Sequence, residues 1–227
     1  MTMRAMDPVN QPGLDVSMHI GETRLGLLKN WEWHDDPRRL MFSMARYKFV
    51  AKMLAGRSRV LEVGCGDAFC APIVRQAVSH LTVSDFDPVY IEDARSRSRE
   101  PWSYDAIVLD ITRQAPPGRY DGIYSLDMLE HIPPSEEDGV LSRLVSALEP
   151  TGTLIIGMPS LESQAYASAP SRAGHINCKT EDQMRSLLQR YFANVFIFGM
   201  NDEVVHTGFG PMCHYRLALA CTPHALQ

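Results

Sequence analysis

A short apolar run that ends in two glycines and gives way to a helical pattern constrains this chain more than any other feature. Val60-Leu-Glu-Val63 suits a strand buried in a parallel sheet, Gly64 and Gly66 flank Cys65 in a tight turn, and an amphipathic pattern follows over about 68–78. Glycines in such a turn let a ligand approach the backbone, and the free N–H groups of a helix start suit anionic groups. Two glycines in a turn are common, so the meaning of this stretch comes from its flanks.

Those flanks repeat the same alternation. Leu81-Thr-Val-Ser84 reads as a second strand closed by Asp85-Phe-Asp-Pro88, with Asp87 as the cap of a helix running to about Arg97. Residues 104–109 form a third strand ending at Asp110, Tyr120–Ser125 a fourth, and Thr153–Gly157 a fifth, entered after a helix over 135–148. Thr180 with Gln183 makes a capping box for a helix over 181–191, and strands follow over 194–198 and 214–221. This order specifies a doubly wound, largely parallel α/β sheet in one domain over 37–227. Upstream, a helix begins after Pro37. Residues 1–36, with Pro8, Pro12, Gly13, Gly21 and Gly26, read as an extended arm or lid with at most one short helical turn, in which Trp31 and Trp33 anchor to the core or cover a ligand.

At 227 residues and 45% hydrophobic content the chain can bury a core without a metal or disulfides. A net charge of −5 without a basic stripe argues against nucleic acid. The five cysteines, odd in number and without paired close spacing, speak against a disulfide framework or a zinc site, so no metal is expected and a cytoplasmic setting is. No apolar window reaches the roughly 18 residues of a membrane span.

In a sheet of this kind ligands bind beyond the carboxyl ends of the strands. Three acids fall there: Glu62 in strand one, Asp85 after strand two, Asp110 after strand three. Asp85 lies about 20 residues past the glycine turn, where a carboxylate holds a ribose. Helix capping is the other use of Asp85 and Asp87. Phe86 could cover an adenine face, and Asp110 and the N–H of Ile111 could face its edge. The dinucleotide fingerprint fails, because Phe69 stands where its third glycine belongs, and Asp67 puts a negative charge where a pyrophosphate would sit. An adenosine carrying a positive charge suits that turn better, which describes S-adenosylmethionine.

Five ordered stretches carry a resemblance that points the same way. Val60-Leu-Glu-Val-Gly-Cys-Gly66, Ser84-Asp-Phe-Asp-Pro88, Leu109-Asp-Ile111, Tyr120-Asp-Gly-Ile-Tyr-Ser-Leu-Asp-Met-Leu-Glu-His131 and Leu148-Glu-Pro-Thr-Gly-Thr-Leu-Ile156 resemble the motifs of class I S-adenosylmethionine-dependent methyltransferases of the small-molecule type, over roughly residues 38–220. The resemblance implies a Rossmann-like seven-stranded sheet of order 3-2-1-4-5-7-6 with strand seven antiparallel. It also implies that Gly64 and Gly66 pass the methionine part, that Glu62 orients that region, that Asp85 holds the ribose, and that Asp110 and Ile111 take the adenine. Leu126 would line the cofactor. Arg46 resembles the basic residue that some members place on the methionine carboxylate, a surface arginine being the alternative.

The acceptor is less well marked. A hydroxyl acceptor needs a base, for which His175, in the polar loop 158–179, and His206, in the loop 199–212, are the candidates; His131 and His214 read as structural. These loops and the Trp31–His34 arm are expected to form the acceptor pocket, with Tyr166 and Phe209 as further aromatic candidates. O-methylation of a metabolite, saccharide or natural-product intermediate is the expected activity. N-methylation and a non-catalytic cofactor-binding partner or sensor are the alternatives, while an NAD-linked enzyme lacks its third glycine. The acceptor's identity and the oligomeric state have no signature in the sequence.

Overall fold

The strand-and-turn pattern resolves into one mixed sheet in the computed structural model, which describes residues 3–224; residues 1–2 of the expected arm and 225–227 of the expected domain lie outside the described residues. The elements run α1 (Gln11–Ile20), α2 (Leu27–Asp35), α3 (Arg38–Met53), β1 (Arg59–Val63), α4 (Ala71–Arg75), β2 (His80–Asp85), α5 (Pro88–Arg97), β3 (Asp105–Val108) and β4 (Tyr120–Leu126). They continue with α6 (Pro134–Ser146), β5 (Leu148–Pro159), α7 (Ala169–Gly174), α8 (Glu181–Gln189), β6 (Phe192–Asn201), β7 (Val204–His206) and β8 (Tyr215–Pro223). The sheet has eight strands in the order β3-β2-β1-β4-β5-β8-β6-β7. The expected order is thus present, with β8 in the place of the predicted strand seven, antiparallel to both β5 and β6. The eighth strand, absent from the sequence reading, is β7, which turns back on β6 through Asp202 in the loop expected over 199–212. Three residues are too short to show an alternating pattern.

Alternation along β1 decides what faces what. Val60 joins the core under α3, α4 and α5, whereas Leu61 and Val63 join the core under α6 and α8. Glu62 therefore points to the same side as Val60, where α3 presents Tyr47 and β4 presents Tyr124. A buried acid in the middle of an apolar strand is placed by period two alone.

The arm differs from expectation. Residues read as extended form α1 and α2, because Pro12 occupies the first turn of α1, Gly21 ends it at φ 82° and Gly26 caps α2. The same prolines and glycines that suggested irregular chain serve as helix ends. The amphipathic pattern over 68–78 shortens to α4, since Ala68 takes a left-handed φ of 51° and extends the loop. The capping box of Thr180 and Gln183 forms as expected on α8, and Asp87 caps α5. No helix among the described residues is long and apolar enough to cross a membrane.

Candidate active site

The glycine turn is held from below by the sheet and from above by the arm. N–H groups of Gly64 and Cys65 both donate to the carbonyl of Ser84, at 2.8 and 2.9 Å, and Gly66 N–H donates to Asp85 Oδ2 at 2.9 Å. Gly64 sits at φ 76°, and a Cβ there would lie 2.6 Å from the Met128 side chain; Gly66, at φ 52°, faces Leu28 of α2 in the same way. Only glycine satisfies both the backbone and the packing at these positions.

Above this turn opens a cavity of about 1000 Å³. Gly64, Gly66, Asp85, Phe86, Asp110, Ile111 and Leu126, seven of the residues named for the cofactor, line it together with Arg46. Asp85 is buried and its second oxygen accepts the N–H of Asp87, so one carboxylate shapes the loop from two sides. Asp110 Oδ1 accepts from the Thr112 N–H and hydroxyl. Phe86 stays exposed at the rim.

Glu62 does not line the cavity. It is buried beneath it, accepting hydrogen bonds from the hydroxyls of Tyr47 and Tyr124, the latter at 2.8 Å. Burial pushes its pKa up to about 7 against the lowering effect of the two tyrosines. Arg46 pairs with Asp127 at 2.6 Å and stacks over Tyr215, with its carbon 3.8 Å from the ring centroid. Burial works against its charge, but Asp127 together with Tyr215 and Glu130 outweighs it and its pKa rises. The surface alternative for Arg46 is therefore set aside.

Asp67 needs a correction. Its charge lies in the turn and at the cavity, as expected, but it is buried, and its carboxylate is already engaged, accepting the N–H of Lys29 at 2.8 Å and that of Phe69 at 3.1 Å. Asp93 likewise accepts from Leu27 N–H at 3.3 Å. Two acids from the sheet domain thus cap α2, whose N-cap residue, Gly26, has no side chain to do so. Nothing local in the arm signals this, since the capping residues lie far away in the chain.

A second group of lining residues, from the turn after β4 and the loop after β5, is polar. Asp127, Glu130, His131 and His175 form it, the first three following directly on β4. Glu130 is completely buried, and neither of its oxygens has a hydrogen-bond partner. Burial raises its pKa well above the ordinary carboxylate value, and Asp127 adds to that. His175 Nδ1 meets Gln164 Oε1 at 3.0 Å, and burial with the neighbouring His131 lowers its pKa. His131 Nδ1 meets the carbonyl of Gly174 at 2.9 Å. His131 therefore belongs to the cavity as well as to the structure of the turn. Sequence reading missed Glu130 as a functional residue, although it stands in a quoted motif.

His206 is not brought to this site. It lies on the edge strand β7, with Nε2 on Asn201 Oδ1 at 2.7 Å and Nδ1 accepting the N–H of Gly208 at 3.0 Å. Both ring nitrogens are occupied within the hairpin. The loop 199–212 contributes nothing to the cavity lining, and Tyr166 and Phe209 are exposed elsewhere. Of the arm, Leu28, Lys29, Trp31 and Glu32 line the cavity, whereas Trp33 does not.

A sheet of this order, with a glycine turn after β1 and carboxylates after β2 and β3, is a Rossmann-like α/β fold with its cavity at the carboxyl ends of the strands. The chain belongs to the family described as a methyltransferase domain, which it matches over residues 32–195. The resemblance read from the motifs is borne out at the level of family and fold. Among curated proteins it is 27% identical over 156 residues to ubiquinone biosynthesis O-methyltransferase of Xanthomonas campestris pv. campestris (strain B100), covering 66% of this chain and 64% of that protein. The enzyme of the same name from Xylella fastidiosa (strain M23) is 27% identical over 155 residues, with 64% and 61% covered. The chain thus spans somewhat under two thirds of the length of these relatives. Among solved structures, the N-methyltransferase NodS from Bradyrhizobium japonicum WM9 with S-adenosyl-L-homocysteine superposes at TM-score 0.62, with 19% identity over 86% of this chain and 93% of that one. Magnesium protoporphyrin IX methyltransferase from Synechocystis PCC 6803, also with S-adenosyl-L-homocysteine bound, gives 0.58 and 18% over 93% and 95%.

Proposed function

We propose that this chain transfers a methyl group from S-adenosylmethionine to a hydroxyl oxygen of a small molecule. The observation that carries this reading is one cavity lined by two unlike groups: glycines and strand-end carboxylates from the ends of β1–β3, and a histidine pair from the turn after β4 and the loop after β5. The cofactor-side residues fit the donor. Gly64 and Gly66 bring bare backbone to the cavity for its methionine part, Asp85 is the carboxylate for the ribose, and Phe86, Asp110 and Ile111 are the adenine contacts in this reading. Arg46 would take the carboxylate through the edge not used by Asp127; its Nε is buried without a partner. Glu62 acts indirectly, fixing Tyr47 of α3 against β1. When bound, the donor supplies an already activated methyl, so the protein's work is alignment, water exclusion and handling of the acceptor's proton.

In the second group, Nδ1 of His175 is engaged by Gln164, which leaves Nε2 to accept a hydrogen bond from an acceptor hydroxyl. Its lowered pKa keeps the ring neutral near pH 7, as a base requires. The O-methyltransferase names of the curated relatives support oxygen rather than nitrogen. Helix α2, over the glycine turn with Trp31 at the opening, serves as lid and acceptor contact. The test is stabilisation against heat by S-adenosylhomocysteine but not by NAD, followed by product release from S-adenosylmethionine with pooled phenolic and aliphatic alcohols. Release only with amines would replace oxygen by nitrogen, and stabilisation without release on any pool would favour a sensor.

A further inference from the structure

Methyl transfer alone leaves one feature of the acceptor wall unexplained: a completely buried carboxylate with no donor near it. Glu130 is fully inaccessible, yet neither oxygen meets a hydrogen-bond partner. A buried carboxylate is normally paired, hydrogen-bonded or bound to a metal. Its neighbours in space are two imidazoles. One ligand atom each from Glu130, His131 and His175 lie within 4.8 Å of one another, and the two rings meet edge to face with centroids 5.2 Å apart.

Both rings are held in the same sense. His131 donates through Nδ1 to the carbonyl of Gly174 at 2.9 Å, and His175 through Nδ1 to Gln164 Oε1 at 3.0 Å. The amide of Gln164 is oriented by its own Nε2, which donates to the Ser160 carbonyl at 3.3 Å, so an oxygen and not a nitrogen faces the ring. With Nδ1 protonated, each neutral ring carries its lone pair on Nε2. Donation of one ring nitrogen to an oxygen is the arrangement that fixes tautomer and orientation in metal-binding histidines. The main chain locks the group further: Asn177 N–H donates to the carbonyl of Glu130 at 3.0 Å, joining the turn after β4 to the loop that carries His175.

We infer that Glu130, His131 and His175 bind one first-row divalent cation, of the manganese-to-zinc class, with its remaining positions open to the cavity. Two imidazoles and a carboxylate are a donor set suited to such ions. The cysteine spacing that argues against a thiolate zinc site has no bearing on this set, which contains no sulfur. The role of the cation rests on the methyl-transfer reading and deepens it: Nε2 of His175 then holds the cation in place of serving as the base, and the acceptor is a molecule whose hydroxyl oxygen, or two neighbouring oxygens, can ligate. The cation favours the deprotonated oxygen. The hydroxyl proton passes to solvent, the oxygen forms a bond to the methyl carbon, and the carbon–sulfur bond of the sulfonium breaks, giving methyl ether, thioether and one proton.

The experiment strips the full-length protein of metal and titrates it with Zn²⁺ by calorimetry and with Co²⁺ by visible absorption, beside Glu130→Gln and His131→Gln. One saturable equivalent is expected, with ligand-field bands for Co²⁺, and at least about tenfold weaker binding in either variant. No saturable uptake up to millimolar Zn²⁺, or one equivalent held equally well by both variants, overturns the site. His131 is exposed, so its variant remains a test even where Glu130→Gln folds poorly. Heat stabilisation of the metal-free protein by S-adenosylhomocysteine is measured on the same samples. Its absence would remove the donor reading while the cation titration still reads on the three side chains.

Discussion

The two walls of the cavity are built differently. On the donor wall, strand register places nearly everything: β1 delivers Gly64 and Gly66, β2 delivers Asp85, β3 is followed by Asp110, and backbone bonds from Gly64 to Ser84 and from Leu109 to Asp85 tie the strand ends together. On the acceptor wall and over the opening, position comes from segments distant in sequence. His131 and His175 meet through the turn after β4 and the loop after β5, and α2 is capped by Asp67 and Asp93. The first arrangement is rigid and local, whereas the second depends on tertiary contacts made by loops and a short helix. Substitutions on the donor wall should therefore act on binding and stability together, and those on the acceptor wall on turnover with little change elsewhere.

The largest effect is expected from Gly64→Val. A β-branched residue at φ 76° with Met128 only 2.6 Å from its Cβ must shift both the turn and the side chain that packs on it. Loss of roughly 3 kcal/mol or more of stability is expected, together with loss of measurable S-adenosylhomocysteine binding. Denaturant melts and calorimetry check this; normal affinity in a folded variant would show that the turn is not the donor cradle.

Glu62, beneath the donor wall, joins β1 to α3 through Tyr47 and to β4 through Tyr124, and it gives that wall a pH dependence of its own. Its folded pKa, about 7, lies above the ordinary carboxylate value, so between roughly pH 4.5 and 7 the folded state holds a proton that the unfolded chain has lost. Stability from this group is present at acid pH and is lost as pH rises through 7. The wild type should lose on the order of 3 kcal/mol relative to Glu62→Gln between pH 5 and 8, a difference read from paired urea melts. Parallel stability profiles for the two proteins would mean that Glu62 is ionised throughout, held by its tyrosines.

Asp85→Ala removes a carboxylate that shapes the Gly66 N–H and faces the cavity. A fall of roughly 100-fold in donor affinity, about 2.7 kcal/mol, is expected from losing charge-assisted hydrogen bonds to two hydroxyls. Unchanged affinity would sink the assignment of this wall to a nucleoside. Trp31→Ala, on the lid, should instead raise the acceptor KM by roughly three- to tenfold while donor affinity stays within about twofold. Equal losses in both would make α2 a support of the glycine turn and not an acceptor contact.

How much of this was legible in the sequence follows the same division. Residues 60–126 state their roles through period two, turn glycines and strand-end acids, and seven of the named cofactor residues converge as expected. Asp67 was visible as a charge, but its partner, the backbone of α2, could not be read from a helix whose caps come from elsewhere. Glu130 was visible only as part of a motif, since its burial depends on the loop that folds over it. The arm was misread because proline and glycine mark helix ends as readily as they mark irregular chain.

His206 carries the smallest expected effect and the sharpest boundary between the two regions. Its ring is spent on Asn201 and Gly208 inside the β6–β7 hairpin, an edge unit that contributes no residue to the cavity. His206→Ala should cost about 1 kcal/mol of stability from two lost hydrogen bonds, with kcat and both KM values within about twofold of wild type. His175→Ala should instead lower kcat while leaving S-adenosylhomocysteine binding intact, because that ring stands on the acceptor wall. The pair separates histidines that the sequence offered as equals. A fall of more than about tenfold in kcat for His206→Ala, with donor affinity unchanged, would mean that the hairpin swings over the opening during turnover. The acceptor wall would then extend from the turn after β4 to the edge of the sheet, and its division from the rest of the molecule would have to be redrawn.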